Sequence, residues 1–193
     1  EQFIYQTSER YLYARDVIHS LGQPMDMVFL CGDYVHNYPS TDYDFYFEKT
    51  TRFDNAHEIS QGFTMPVYPC FGNHDYNYPS NSLQFSHDLW KAKFNLDPYY
   101  SVDHKGWKFI NLNNFLGDTW NQDSARYDKD WGSFGEAQLN WLEAELQQHK
   151  PTFIFLHYML PLILNNEVAD LSLFSLLQQY QDNIFCVVAG HIH

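Results

Sequence analysis

Side chains that can bind metal ions follow four apolar stretches of this 193-residue sequence, each where the stretch ends. The side chains belong to Asp33, Asn73, His74, His157, His191 and His193. Because the carboxyl ends of strands converge in layered α/β folds, these side chains are expected to lie close together. Carboxylate, amide and imidazole groups suit divalent Mn, Fe or Zn better than they suit a closed thiolate zinc site. The sequence therefore predicts a metal centre.

The four stretches are short apolar runs typical of buried strands. They span residues 27–31, 66–71, 153–156 and 184–189. Apolar residues at helical spacing predict helices over residues 7–21, 48–59, 85–94, 135–149 and 170–180, and residues 99–112 are typical of a β-hairpin. Ser133 and Glu136 match the capping-box pattern at the start of the fourth helix. This mixture indicates an α/β fold with a layered sheet core and helices outside.

The motifs at the strand ends resemble those of the calcineurin-like metallophosphoesterases. Gly32-Asp33, Gly72-Asn73-His74-Asp75, His157 in an apolar frame, and Gly190-His191-Ile192-His193 occur in that family's order. The resemblance covers essentially the whole chain and implies one catalytic domain over residues 1–193, here incomplete. It also implies two packed mixed β-sheets flanked by helices, in a four-layer α/β/β/α sandwich.

The resemblance implies a role for each motif residue. Asp33 would bridge two divalent metal ions, with Asn73, His157 and His191 on one ion and His193 on the other. The implied reaction is hydrolysis of a phosphate monoester or diester by a hydroxide that bridges the metals. His74 would act near the leaving group, and Asp75 would orient it; these are the implied catalytic residues.

Other polar residues have less specific signals. His36 follows Gly32-Asp33 and is a candidate for the substrate pocket, as is Asn113, which ends the hairpin strand beside Asn114. Taken alone, His157 between two apolar neighbours would more often be a core histidine than a metal ligand. The other motifs reverse that interpretation.

One family motif is missing from the sequence. The family opens with an Asp-x-His whose side chains complete the second metal site, and none precedes Gly32-Asp33 here. The expected explanation is truncation at both ends. The alternative is a non-catalytic metal-binding or interaction module on the same fold. A third reading is an acidic binding domain whose aromatic residues hold a partner.

Composition limits the partners. A net charge of −13 argues against binding to nucleic-acid backbones, although bound cations can still attract a small phosphate ester into one pocket. No apolar run approaches the length of a membrane span. The three cysteines lie in or beside apolar stretches and are expected to be buried free thiols. The aromatic and asparagine-rich loops favour an extracytoplasmic location, while the oligomeric state and the particular substrate stay open.

Overall fold

The computed structural model describes residues 2–35, 42, 44–49, 51–76, 83–121, 126–127, 131–164, 167–168 and 170–192. The helices are Gln2–Ser20 (α1), Phe45–Glu48 (α2), Arg52–Gln61 (α3), Leu83–Phe94 (α4), Gly135–Leu146 (α5) and Leu173–Gln179 (α6). The strands are Val28–Leu30 (β1), Val67–Pro69 (β2), Tyr100–His104 (β3), Trp107–Asn111 (β4), Trp120–Asn121 (β5), Arg126–Tyr127 (β6), Thr152–Leu156 (β7) and Ile184–Ala189 (β8). Short 3₁₀ turns span Asn73–Asp75 and Leu160–Leu162.

The strands form a mixed α/β architecture. The parallel pair β1–β2 makes one sheet, and the order β3-β4-β7-β8 makes a larger one. In the larger sheet β3 and β4 are an antiparallel hairpin, whereas β4, β7 and β8 run parallel. Strands β5 and β6 form a short antiparallel ribbon. The mixed α/β class predicted from the sequence is confirmed.

Alternation along the strands gives the larger sheet two apolar faces. Ile110 and Ile154 on one face are fully buried and share a core cluster with Leu139 and Leu142 of α5. On the other face, the Phe29 ring of β1 stacks on Phe155 with the ring centroids 4.1 Å apart. The Phe29 ring also stacks on Phe109 at 5.2 Å. Aromatic stacking therefore holds the two sheets together, with each pair adding about 0.5–1.5 kcal/mol beyond its buried area.

The start of α5 differs from the sequence prediction. The Ser133 hydroxyl is hydrogen-bonded to the Thr119 hydroxyl at 2.8 Å, so the predicted capping box with Glu136 is wrong. The first amides of the helix instead donate to one carboxylate oxygen of Glu167, from Phe134 N at 2.5 Å and Gly135 N at 2.8 Å. A distant carboxylate thus satisfies the helix start and complements its dipole.

All five predicted helices have different bounds in the structure. Helices α1 and α4 begin earlier than expected, and α6 is shorter than the predicted span of residues 170–180. The helix expected over residues 48–59 is interrupted, because α2 ends at Glu48 and α3 begins at Arg52. The helix expected to reach His149 ends at Leu146, and His149 adopts a left-handed φ of 54°. The left-handed residue lies in the turn after α5, where His149 N donates to Leu146 O at 3.0 Å.

Within the described part of the chain, no helix combines the length and the apolar character that crossing a bilayer requires.

We expect Glu167→Ala to destabilise the protein by about 1–2 kcal/mol, since it leaves two first-turn amides without their acceptor. For a domain of this size the melting temperature should fall by roughly 2–8 °C, measured by circular dichroism. Glu136→Ala is the matched control, because Glu136 is an exposed first-turn carboxylate of the same helix. A larger loss in the Glu136 variant than in the Glu167 variant would contradict this assignment of the cap.

Candidate metal centre

Four predicted ligand residues come together at the carboxyl ends of the parallel strands. Ligand atoms of Asp33, His157 and His191 all lie within 4.8 Å of one another. The side-chain oxygen of Asn73 lies 3.0 Å from His157 Nε2. Asp33 follows β1, Asn73 follows β2, His157 follows β7 and His191 follows β8. The two sheets therefore each contribute two members to one cluster.

The His157 ring is oriented by a backbone carbonyl. Its Nδ1 lies 2.7 Å from the Cys31 oxygen, and a carbonyl oxygen can only accept, so Nδ1 carries the proton. Burial lowers the pKa of His157, although the charge of Asp33 acts in the opposite direction. The ring is thus a neutral imidazole whose Nε2 presents a lone pair to the cluster.

Two oxygen atoms that face this lone pair are also acceptors. Asn73 Oδ1 lies 3.0 Å from His157 Nε2, and Asp33 Oδ2 lies 3.4 Å from it. Both are acceptors, so the three atoms repel one another unless something positive lies between them. His191 Nδ1 is the fourth atom of the group, at 3.2 Å from His157 Nε2. A divalent cation satisfies such a set of acceptors.

The spacing of the four atoms fits a bound metal ion. With metal–ligand bonds of about 2.1 Å, two ligands lie about 3.0 Å apart at octahedral angles and about 3.4 Å apart at tetrahedral angles. The separations from His157 Nε2 to its neighbours are 3.0, 3.2 and 3.4 Å. One carboxylate, one amide oxygen and two imidazoles form a donor set suited to Mn, Fe or Zn.

Two glycines allow the ligand loops to approach one another. A Cβ on Gly72 would lie 2.2 Å from the Asp33 backbone nitrogen, and a Cβ on Gly32 would lie 2.4 Å from His157 Nδ1. Any larger residue at these positions would push the loops after β1 and β2 apart. The close approach of the loops therefore requires glycine in both the Gly-Asp and the Gly-Asn-His-Asp motif. Gly32 also adopts a left-handed φ of 85°.

Two of the candidate ligands have strained backbones. Asp33 has φ 53° and His191 has φ 74°, in the left-handed region that residues other than glycine adopt rarely. Such strain persists at sites where a side chain must point in one direction for function. At both positions the left-handed residue is the one that directs a ligand atom into the cluster.

Asp75 holds the turn that carries Asn73 and His74. Its carboxylate is fully buried and accepts from Gly72 N at 2.7 Å and from Val35 N at 2.8 Å. Burial and then the charge of Asp33 raise the pKa of Asp75 to about 8, against the effect of those amide bonds. The carboxylate therefore joins the loops after β1 and β2, while its predicted orientation of the His74 ring stays a prediction.

The remaining predicted site residues have different outcomes. His74 is half-buried, and its amide donates to Asp33 Oδ1 at 3.0 Å. His36 and His193 lie outside the described residues. Asn113 is fully buried, donates to the Tyr76 hydroxyl and accepts from Phe115 N at 3.0 Å, while its predicted place in a substrate pocket stays a prediction.

Sequence reasoning missed two contacts of the site. The Cys31 carbonyl that orients His157 belongs to the backbone, so the residue type at position 31 could not predict this contact. The Tyr158 ring packs against the His191 ring with centroids 4.4 Å apart and limits how that ligand can turn. The apolar character of Tyr158 beside a candidate ligand was the available signal for the second contact.

Relief of backbone strain should be separable from metal binding. His191→Gly and His149→Gly both place glycine at a left-handed position, at φ 74° and φ 54° respectively. We expect both EDTA-treated variants to melt within about 3 °C of wild type, because relief of up to about 1 kcal/mol of strain offsets the lost ring contacts.

Addition of Mn²⁺ should then distinguish the two variants. At about 100 times the dissociation constant, ligand binding adds about 2.7 kcal/mol and raises the melting temperature by roughly 5–10 °C. Wild type and His149→Gly should show this shift, and His191→Gly should lose most of it. An equal shift in all three proteins would remove His191 from the centre.

Comparison with known sequences agrees with this geometry. The family model for calcineurin-like phosphoesterases matches residues 6–193, which is nearly the whole chain. No curated protein matched the sequence. The family match runs through every strand end that contributes a ligand atom to the cluster. The chain belongs to the calcineurin-like phosphoesterase family.

Proposed function

We propose that this protein hydrolyses phosphate monoesters or diesters at a centre of two divalent metal ions, either Mn, Fe or Zn. Family membership implies metal-dependent hydrolysis of phosphate esters. The observation that carries the proposal is the pair of oxygen acceptors that face His157 Nε2, an arrangement that favours a bound cation and is built from the family's motif residues. A small phosphate ester is the proposed substrate class.

The positions of the described side chains support a role for each ligand of the first ion. Asn73, His157 and His191 would hold the first ion, and Asp33 Oδ2 would complete its set. Asp33 is the proposed bridge because a carboxylate has a second oxygen to offer. In this proposal His193 serves the second ion. When bound, the two ions supply charge neutralisation for the phosphate oxygens and acidify the attacking water.

His74 is the residue proposed to act on the substrate. The His74 amide donates to Asp33 Oδ1, so the residue lies next to the proposed bridging ligand. The residue is half-buried. An imidazole there can give a proton to the oxygen that leaves phosphorus. Asp75 acts through the backbone of the same turn and is therefore proposed as a positioning residue.

The first experiment measures hydrolysis of bis-(p-nitrophenyl) phosphate and of p-nitrophenyl phosphate with Mn²⁺, Fe²⁺ or Zn²⁺ added. We expect turnover that EDTA abolishes, and near-complete loss in Asp33→Asn, because the amide keeps the backbone bond to His74 but loses the bridging charge. His149→Gly should retain activity. Turnover that survives in Asp33→Asn would sink the proposed mechanism, and metal binding with no turnover of any ester would favour a non-catalytic metal-binding module.

The role of His74 can be tested by changing the leaving group. A poor leaving group needs a proton in the transition state more than an acidic one does. His74→Ala should therefore lower kcat by about 10²- to 10⁴-fold for a phenyl phosphate ester, and by less for the matching p-nitrophenyl ester. Mn²⁺ affinity, measured by calorimetry, should stay near that of wild type. Equal losses for the two esters would show that His74 is not the proton donor.

A further inference from the structure

The Asn114 side chain accepts one hydrogen bond from the candidate metal ligand His157 and one from the next residue, Tyr158. It lies at the end of the segment that follows β4, and it is fully buried. Its side-chain oxygen accepts from His157 N at 2.8 Å and from Tyr158 N at 3.1 Å. One carboxamide oxygen thus satisfies two consecutive backbone amides at the end of β7.

These bonds replace the regular ladder between β4 and β7. The parallel pairing runs from Lys108 opposite Thr152 to Asn111 opposite Phe155, and Leu112 N then donates to Phe155 O at 2.8 Å. The amide of His157 comes next along β7, and it donates to the Asn114 side chain. A side chain as acceptor lets the two strands separate at the point where the ligand must leave the sheet.

His157 is consequently held at every polar atom except Nε2. Asn114 binds its amide, Gly190 N donates to its carbonyl at 3.0 Å, and the Cys31 carbonyl accepts from Nδ1 at 2.7 Å. Three different strand ends thereby fix one imidazole, and the Gly190 contact comes from the loop that carries His191. Of the polar atoms of His157, Nε2 is the one that remains to bind a metal ion, and it faces the cluster.

We infer that Asn114 is a positioning residue for the metal centre, which aims His157 Nε2 by holding the backbone of the ligand. This inference rests on the proposed metal centre. The position requires an acceptor of two N–H groups that is neutral and compact enough for a buried site. Asn114 is itself confined, because its carbonyl accepts from Ser133 N at 2.7 Å and a Cβ on Gly132 would lie 3.1 Å from its Nδ2.

The neighbouring asparagine provides a matched control. Asn113 is equally buried and also accepts from a backbone amide, that of Phe115 at 3.0 Å. Its Nδ2 donates to the Tyr76 hydroxyl, and its described bonds go to residues other than the cluster ligands. Asn113→Leu and Asn114→Leu therefore each remove a buried amide acceptor of the same size, and only the second acts on His157.

The test is Mn²⁺ affinity of the full chain, measured by calorimetry on variants shown to be folded by circular dichroism. Loss of a group that orients a metal ligand commonly weakens metal binding by about 10- to 100-fold, and we expect that loss in Asn114→Leu. Asn114→Asp keeps the acceptor oxygens and should recover part of the affinity. Asn113→Leu should bind Mn²⁺ as wild type does.

A spectrum separates positioning from general destabilisation. Co²⁺ bound to wild type and to Asn113→Leu should give the same d–d absorption bands, and Asn114→Leu should shift them because His157 meets the ion at a different angle. A folded Asn114→Leu protein with unchanged Mn²⁺ affinity and an unchanged Co²⁺ spectrum would overturn the inference. Equal losses in Asn113→Leu would also overturn it.

A measurement on wild type covers the case in which Asn114→Leu does not fold. In protein labelled with ¹⁵N and ¹³C, a scalar coupling across the hydrogen bond should link the His157 amide nitrogen to the Asn114 side-chain carbonyl carbon. Absence of that coupling from an otherwise assigned spectrum would overturn the inference. Failure of wild type to bind Mn²⁺ or Co²⁺ would instead contradict the proposed metal centre, and this inference with it.

Discussion

The site depends on two oxygen acceptors that crowd the unprotonated nitrogen of one buried histidine. The Cys31 carbonyl accepts a hydrogen bond from His157 Nδ1–H, and the unprotonated Nε2 faces the Asn73 amide oxygen and an Asp33 carboxylate oxygen. Burial of the His157 ring lowers its pKa and so disfavours a second proton on it. A cation resolves this conflict, and the family's metal-dependent chemistry requires one at such a place.

The rest of the fold explains how these atoms can be kept so close. Phe29 stacked on Phe155 and Phe109 fixes the two sheets, so the ends of β1 and β7 meet. Gly32 and Gly72 let the loops beyond those ends touch without a side chain between them. The strained φ angles of Asp33 and His191 then turn each ligand inward. Packing in the core thus stabilises the site against the strain of these two backbone conformations.

Much of this arrangement was predictable from the sequence, because it depends on local patterns. The apolar run before His157 and the one before Gly190 predicted β7 and β8, with β8 at its observed bounds Ile184–Ala189. Glycine next to a polar ligand marked the turns after β1, β2 and β8. The order of the motifs then identified the family, which the match over residues 6–193 confirmed.

Other features were beyond prediction because their partners are distant or are backbone atoms. Glu167 caps α5 although it lies more than 30 residues further along the chain, so the local sequence pattern at Ser133 was misleading. The two asparagines that end the segment after β4 looked equivalent in sequence, yet Asn113 bonds into the interior and Asn114 bonds to a ligand backbone. The difference between the two asparagines arises because β7 pairs with β4, which brings His157 beside Asn114. The sequence alone does not show which strands pair.

The most direct measurement of the central claim is an anomalous-difference map from crystals of this protein grown with Mn²⁺. The account predicts a peak between His157 Nε2, Asn73 Oδ1, Asp33 Oδ2 and His191 Nδ1, at about 2.1–2.3 Å from His157 Nε2. A map with no peak at this position, together with an Nε2 proton on His157 bonded to Asp33, would contradict it.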